Sequence, residues 1–305
     1  MARFALVLSL SLLACGGDDD VGGNPPPDFP ILDELDRTPD PACEGIWLAG
    51  IRGRVVDAAG EGVAGVTVQH CLRLHDGRFV CTSPPENDDG SFQFEMTDEA
   101  GWYAYVFDEN VRCVDELAVR VLHREQPYGT TYCHVPLAPD DSVQLLPHPA
   151  VLHEVVPATD LPPLGDEMAP RDVTFEGGVV LTDVVPGRLF DGEYEDLEGA
   201  FVPVESELCF VEPGDALLGL YTFAPEIVSG EPMGLRLPND AALAEGTAVE
   251  LLVLGGLGTV RADGTPIMEA DFEPFGTARV ADGVIVSDPG VEVPSLTTIG
   301  WRVAE

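Results

Sequence analysis

The chain has 305 residues and a formal net charge of −39, and all 15 of its cations are arginines. A negative charge of this size excludes binding to nucleic acid or to an anionic lipid surface, because both would repel the protein. After removal of a signal peptide, roughly 290 residues would remain, which suits two domains of ordinary size.

The chain begins with the pattern of an export signal. Arg3 precedes an uncharged apolar run over residues 4–13, which is the order found in signal peptides. This run is too short to cross a bilayer as a helix, which takes roughly 20 residues. It ends in Leu-Leu-Ala-Cys at residues 12–15, which resembles the lipobox of bacterial lipoproteins. The resemblance implies cleavage of residues 1–14 and acylation of Cys15; the alternative is an ordinary secretory signal with a chance cysteine.

Residues 15–42 are acidic and rich in Pro and Gly. Such a stretch has too little apolar surface to fold, so it is predicted to be a disordered tether. Its length would hold the first domain on the order of 30 Å from the lipid. Gly16 stands where the inner-membrane retention signal of enteric lipoproteins has Asp. We therefore predict that acyl chains on Cys15 anchor the protein to the bacterial outer membrane, with the folded part periplasmic or surface-exposed.

Once Cys15 is assigned to lipid, an even number of cysteines remains, which in an exported chain predicts disulfides. The disulfide candidates are Cys43, Cys71, Cys81, Cys113, Cys133 and Cys209. Cys71 and Cys81 could face each other across a hairpin, and Cys113 and Cys133 across the next one. Cys43 and Cys209 would then join the two halves of the chain, although the sequence alone leaves the pairing open. A metal site is disfavoured, because no CxxC pair or tight Cys/His cluster occurs.

Residues 43–160 are predicted to form a first all-β domain. Residues 51–68 hold two apolar segments around a Gly-rich turn, and a turn at residues 87–90 precedes the alternating Phe92, Phe94 and Met96. Residues 102–107 are aromatic and again typical of a strand.

These segments resemble the carboxypeptidase regulatory-like domain, a small β-sandwich related to transthyretin-like folds. The matching elements are G-x-V-x-D-x-x-G-x-x-x-x-G-x-x-V at residues 53–68, D-G-x-F-x-F at 89–94 and G-x-Y at 101–103. An insertion at residues 69–88 departs from the family pattern and leaves the local strand order open. The resemblance implies a sandwich without catalytic residues, because this domain accompanies some peptidases and carries no active site.

The Pro-rich residues 161–170 are predicted to link this domain to a second β-rich domain over residues 171–305. Strand-like segments lie at residues 173–185, 216–223, 233–237 and 248–254, and Asp282-Gly283 is a favoured hairpin turn between two more. With Phe223-Ala-Pro, Leu237-Pro and Glu245-Gly-Thr, these features resemble ZU5-like β modules of bacterial surface proteins. That resemblance implies assembly or protein contact. The predicted fold is therefore all-β, with two β-sandwich domains in tandem after a tether.

The chemistry-bearing residues form no recognisable catalytic or metal motif. A zinc peptidase needs spaced His ligands and a carboxylate that activates water, and neither H-E-x-x-H nor H-x-x-E occurs. The G-x-S-x-G elbow of serine hydrolases is also missing. His148, His153 and Glu154 form one close group, which a loop or edge-strand placement explains. The acidic residues 191–196 lack the Gly and distal Glu of an EF-hand loop, so no metal and no cofactor are predicted.

We therefore predict a membrane-anchored, non-catalytic envelope lipoprotein that binds an envelope protein or glycan or serves as envelope structure. The alternative is an accessory subunit of a secreted hydrolase, or a hydrolase whose site is assembled from scattered residues. The two β-rich domains on a tether, together with the lack of a catalytic motif in the sequence, favour the first hypothesis.

Overall fold

The computed structural model describes residues 26–82, 95–123, 125–190, 194–204, 206, 208–211 and 214–304. The predicted signal peptide, Cys15, residues 89–94 of the family motif and residues 191–193 of the acidic run lie outside the described residues. Within the described part the chain is almost entirely β, which confirms the all-β prediction. No helix in these ranges has the length and hydrophobicity that a membrane-spanning segment needs.

The described helices are short: α1 (Pro30–Asp33) and 3-10 turns at Glu109–Val111, Glu176–Gly178, Pro186–Arg188 and Tyr194–Asp196. The strands before residue 155 are β1 (Ile46–Trp47), β2 (Gly50–Asp57), β3 (Thr67–Leu74), β4 (Phe79–Cys81), β5 (Glu95–Met96), β6 (Trp102–Val106), β7 (Cys113–Leu122), β8 (Thr131–His134), β9 (Val143–Leu145) and β10 (Ala150–Leu152). Those after it are β11 (Val156–Pro157), β12 (Arg171–Thr174), β13 (Val180–Val184), β14 (Leu189–Phe190), β15 (Glu198–Val202), β16 (Leu217–Ser229), β17 (Gly234–Pro238), β18 (Ala248–Leu254), β19 (Phe272–Ala281), β20 (Val284–Ser287) and β21 (Leu296–Val303).

Strands β1 to β10 form the N-terminal unit, a sandwich of two sheets. One sheet has the order β1-β7-β3-β4, with β5 beside β3 and β8 beside β7; the other has the order β10-β2-β6, with β9 beside β2. Because side chains alternate along a strand, one face of β3 points between the sheets. Its Val68 and Leu72 share a buried core with Ile51, Val55 and Tyr103 of the facing sheet. This unit therefore has the sandwich architecture that the sequence predicts.

Strands β11 to β21 form the C-terminal unit, a single sheet in the order β11-β15-β16-β21-β18-β19-β20-β17-β13-β12, with β14 beside β16. The sheet curls over one apolar core to which β13, β16, β17, β18 and β21 contribute. Its two ends meet where Asp160 bridges Thr174. The predicted hairpin turn joins β19 to β20, and both Asp282 and Gly283 have positive φ there, as a tight hairpin requires.

The structure places two segments differently from the domain boundaries predicted from the sequence. Strand β11 pairs with β15, so residues assigned by their sequence to the first domain belong to the C-terminal sheet. Residues 26–42, expected to be part of a disordered tether, pack against the N-terminal unit. Leu32 of α1 is only 4% exposed, and Arg112 donates to the carbonyl of Asp36. The buried Leu32 and the hydrogen bond from Arg112 hold this stretch against the sandwich, despite its acidic and Pro-rich composition.

Candidate functional site

All six disulfide candidates are paired. Cys71 bonds to Cys81 across the β3–β4 hairpin, while Cys43 bonds to Cys113 and Cys133 bonds to Cys209. The prediction of disulfides is confirmed, but the suggested Cys113–Cys133 and Cys43–Cys209 pairs are wrong. Cys133 lies opposite Val119, six residues along β7 from Cys113, which is roughly 20 Å at the rise of a strand. The lipidation of Cys15 stays a prediction.

The two units are joined by a shared apolar core. On the face of the β3-β7-β8 sheet that points away from the sandwich interior, Cys71, Ala118 and Tyr132 are buried. They pack in one cluster with Leu220 of β16 and Leu254 of β18 in the C-terminal unit. Both faces of this sheet are therefore covered, and along β3 and β7 only Asp115 and Glu116 are exposed.

A buried ion pair lies at the edge of this core. Nη2 of Arg120 on β7 donates to Oε2 of Glu226 on β16 at 2.7 Å. The side chain of Arg120 is 18% exposed and that of Glu226 is 7% exposed. The backbone N–H of Leu257 donates to Oε1 of Glu226 at 2.9 Å. Arg120 also donates to Gln69 at 3.2 Å. Burial opposes the charge on Arg120, but Glu226 and Tyr132 keep its pKa above the usual value.

Two glycines allow the units to approach this closely. A Cβ on Gly129 would collide with the side chain of Thr222 across the junction, and a Cβ on Gly256 would lie only 3.2 Å from the ring of Tyr132. The Cys133–Cys209 disulfide adds a covalent link between β8 and the segment after β15. The units therefore meet through an apolar cluster, an ion pair, close backbone contact and a disulfide.

Beside this junction lies a cleft of about 900 Å³. The N-terminal unit contributes to its wall through His134, His148 and nearby prolines, and the C-terminal unit through strands β18, β19 and β21. Its apolar part contains Phe210 and Phe272, whose rings meet edge to face with centroids 5.4 Å apart. The volume is in the range of pockets that hold small ligands or peptide side chains.

The charged groups that line the cleft are Asp215, Asp271, Glu273 and Arg302. Arg302 donates to Asp215 and to Glu250 at 2.8 Å each, and Glu273 is paired with Arg261. The carboxylate of Asp271 makes no hydrogen bond or ion pair within the described ranges. Burial raises the pKa of Asp271, and the nearby Glu273 raises it further.

Acidic groups continue into a smaller adjoining pocket, which shares His134 and Asp271 with the cleft. Its lining includes Glu116 and Glu269. Burial raises the pKa of Glu269, and the charges of Glu226 and Asp271 act in the same direction. No group of three or more metal-ligating side chains in metal-binding geometry occurs among the described residues.

The two histidines singled out in the sequence do not converge. His148 lines the cleft, whereas His153 is buried near the junction and burial lowers its pKa. The cleft residues Phe210, Asp271 and Phe272 were missed. The signal for Asp271 and Phe272 is a short Ala-Asp-Phe-Glu segment at residues 270–273, which looks like any strand start in an acidic chain, and Phe210 carries no signal beyond following Cys209.

No protein-family model matches the chain, and no curated protein matches it. The resemblances to a regulatory-like domain and to ZU5-like modules therefore stay predictions. Two solved structures are similar in part: BcpA, the major pilin subunit of Bacillus cereus, and a variant of the same pilin. The first has 10% identity, a TM-score of 0.23 and coverage of 78% of this chain and 83% of the pilin. The second has 10% identity, a TM-score of 0.22 and coverage of 81% and 85%. TM-scores this low carry no conclusion about this chain.

Proposed function

We propose that the protein is a membrane-anchored, non-catalytic envelope lipoprotein whose two β units act as one rigid body that binds a protein partner. The observation that carries the proposal is the junction. It combines a shared apolar core, the buried Arg120–Glu226 pair and the Cys133–Cys209 disulfide, so a cleft with walls from both units keeps a fixed shape. Such preformed clefts bind with little ordering cost.

Two further features support the exported, anchored location. Three structural disulfides are typical of proteins in oxidising surroundings outside the cytoplasm. The apolar N-terminal run ends at Cys15 in a lipobox-like sequence, and acyl chains there would fix the protein to the outer membrane.

The anchoring is tested with the full-length chain expressed in a bacterium fed an alkyne-tagged palmitate. The parent chain should incorporate the tag and sediment with the outer membrane, whereas Cys15→Ser should lose both. Ser11→Ala, in the same signal region, serves as the matched control and should behave as the parent. Unlabelled parent chain released to the periplasm would contradict the anchor.

The binding role is tested by chemical cross-linking of the acylated protein in intact envelopes, followed by mass spectrometry of the linked peptides. We expect cross-links from residues that line the cleft to another envelope protein. Turnover of a panel of peptide and ester substrates by the purified protein, without a cross-linked partner, would instead favour a hydrolase.

A further inference from the structure

Among the described residues that line the cleft, one charged group lacks a direct ionic partner. Arg302 and Glu273 are both engaged in ion pairs with other residues. Asp271, by contrast, is half-buried, and within the described ranges its carboxylate makes no hydrogen bond or ion pair; burial raises its pKa, and the charges of His134 and Arg73, which lie beyond ion-pair distance, offset part of that rise. A desolvated carboxylate in this position lacks both the hydration it would have in water and the charge pairing that buried acids usually receive.

An apolar surface lies directly beside this carboxylate. Phe272 follows Asp271 in the chain, and its ring contacts that of Phe210. Leu252 and Val211 extend this surface along the cleft. A cation carried on an apolar stem would satisfy both parts, because its charge would pair with the carboxylate while its stem covers the aromatic rings.

The net charge of the whole molecule also favours a cationic ligand. The chain carries 54 acidic against 15 basic side chains, and in the adjoining pocket Glu269 adds to this charge, whereas Glu116 is paired with Arg73 at 3.0 Å. A field of this sign raises the local concentration of basic ligands and repels acidic ones. A neutral glycan would gain nothing from the field, and its hydroxyls would donate to the carboxylate without neutralising the charge.

We propose that the cleft between the two units binds an arginine-bearing segment of a partner protein, with the guanidinium at Asp271 and the side-chain stem against Phe210 and Phe272. Guanidinium is favoured over ammonium because it is planar, stacks on aromatic rings and is only weakly hydrated. This inference rests on the proposed binding function and names the chemistry of its ligand.

The test titrates the full acylated protein, in detergent micelles, with the capped peptide Ac-Leu-Arg-Leu-Arg-amide and follows heat by calorimetry. The control peptide carries citrulline in place of each arginine, which keeps the shape of the side chain and removes its charge. We expect the arginine peptide to bind at least tenfold more tightly than the citrulline peptide, and its affinity to fall as salt is raised.

Asp271→Asn should weaken binding of the arginine peptide about tenfold or more, since it removes the charge and keeps the volume of the side chain. Asp282→Asn is the matched control: it makes the same charge change at the far end of β19, about 30 Å away, at a positive-φ turn position that Asn accepts. It should leave the affinity within twofold of the parent.

Equal binding of the two peptides, or equal affinities for the Asp271 and Asp282 variants, would overturn the inference. Preferential binding of a neutral oligosaccharide would overturn it as well, and would leave the proposed binding function in place. The peptide is recovered and weighed by mass spectrometry after each titration. An intact but unbound peptide contradicts only the ligand class, whereas a cleaved peptide contradicts the proposed non-catalytic function.

Discussion

Tyr132 of β8 donates a 2.6 Å hydrogen bond to Oε1 of Glu226 on β16, so the two units share one buried carboxylate. Glu226 also accepts from Arg120 and from the backbone of Leu257. Burial and the charge of Glu226 raise the pKa of Tyr132 far above its usual value, so its hydroxyl stays a donor throughout the physiological range. Both oxygens of the Glu226 carboxylate therefore accept hydrogen bonds, Oε2 from Arg120 and Oε1 from Tyr132 and Leu257.

Glu226→Gln should cost about 2–4 kcal/mol of unfolding free energy. The amide oxygen can keep the hydrogen bonds from Tyr132 and Leu257, but the amide N–H₂ group faces Arg120 and leaves its guanidinium buried without a counter-ion. Urea denaturation followed by circular dichroism measures the loss. The control is Glu231→Gln, which removes a half-exposed pair with Arg188 and should cost less than about 0.5 kcal/mol. Equal losses in the two variants would contradict a structural role for the buried pair.

Leu32→Ala should destabilise the N-terminal unit by about 2 kcal/mol, because it removes a buried side chain of α1 at the edge of the sandwich. The neighbouring Ile31 is 57% exposed, so Ile31→Ala should change stability by less than about 0.5 kcal/mol. Thermal unfolding of both variants gives the comparison. If Leu32→Ala were as harmless as its neighbour, residues 26–42 would be a free tether after all.

This segment shows where composition misleads. Residues 26–42 have few apolar side chains, and mean composition correctly describes a stretch that cannot build a core of its own. Composition does not show that the core of the N-terminal unit lies next to this segment. Gly50 on β2 leaves room for Leu32, and no pattern within the segment itself reveals that complementary surface.

The strands were predictable because period-2 alternation and Gly-rich turns are local signals. The hairpin at Asp282 and the β3–β4 disulfide hairpin follow from such signals. The cleft is different, since His134, Phe210 and Asp271 are brought together by three separate segments of the chain. Their proximity depends on how the two units pack, and one sequence contains no direct record of that packing.

His70 makes the N-terminal unit sensitive to acid. Its ring is fully buried among Tyr103, Tyr105 and Phe107, neither ring nitrogen has a hydrogen-bond partner within the described residues, and burial lowers its pKa to about 3. The unfolded chain takes up a proton near pH 6.5, whereas the folded chain does not. The stability that neutral His70 contributes is therefore complete above about pH 6.5 and is lost progressively as the pH falls toward 3.

His70→Phe should remove this dependence, because the ring shape is retained without a titrating group. Between pH 6 and 4.5 the parent should lose about 2 kcal/mol more than the variant, at about 1.4 kcal/mol per pH unit. Urea denaturation at each pH measures both slopes. His148→Gln, at an exposed position, should keep the parent slope. Parallel curves for parent and His70→Phe would show that His70 is already protonated in the fold.

The disulfides close loops of different length in the unfolded chain, so we expect them to stabilise the fold by different amounts. Cys133 and Cys209 are 76 residues apart, whereas Cys71 and Cys81 are 10 apart. In the chain-entropy account, closing these loops stabilises the fold by about 4–5 and about 3 kcal/mol respectively. Replacing both cysteines of a pair by alanine removes the bond without leaving a free thiol.

The Cys133→Ala/Cys209→Ala variant should therefore unfold at a lower urea concentration than the Cys71→Ala/Cys81→Ala variant. Hydrogen exchange on both sides of the junction, at β8 and at residues 208–211, should rise more in the former than in the latter, since the former removes the disulfide between the units whereas the latter only trims Cys71 in their shared core. Peptide mapping without reductant checks the three pairings beforehand. A larger loss from the short hairpin bond, or exchange that rises within one unit only, would mean that the noncovalent junction holds the units together without the disulfide.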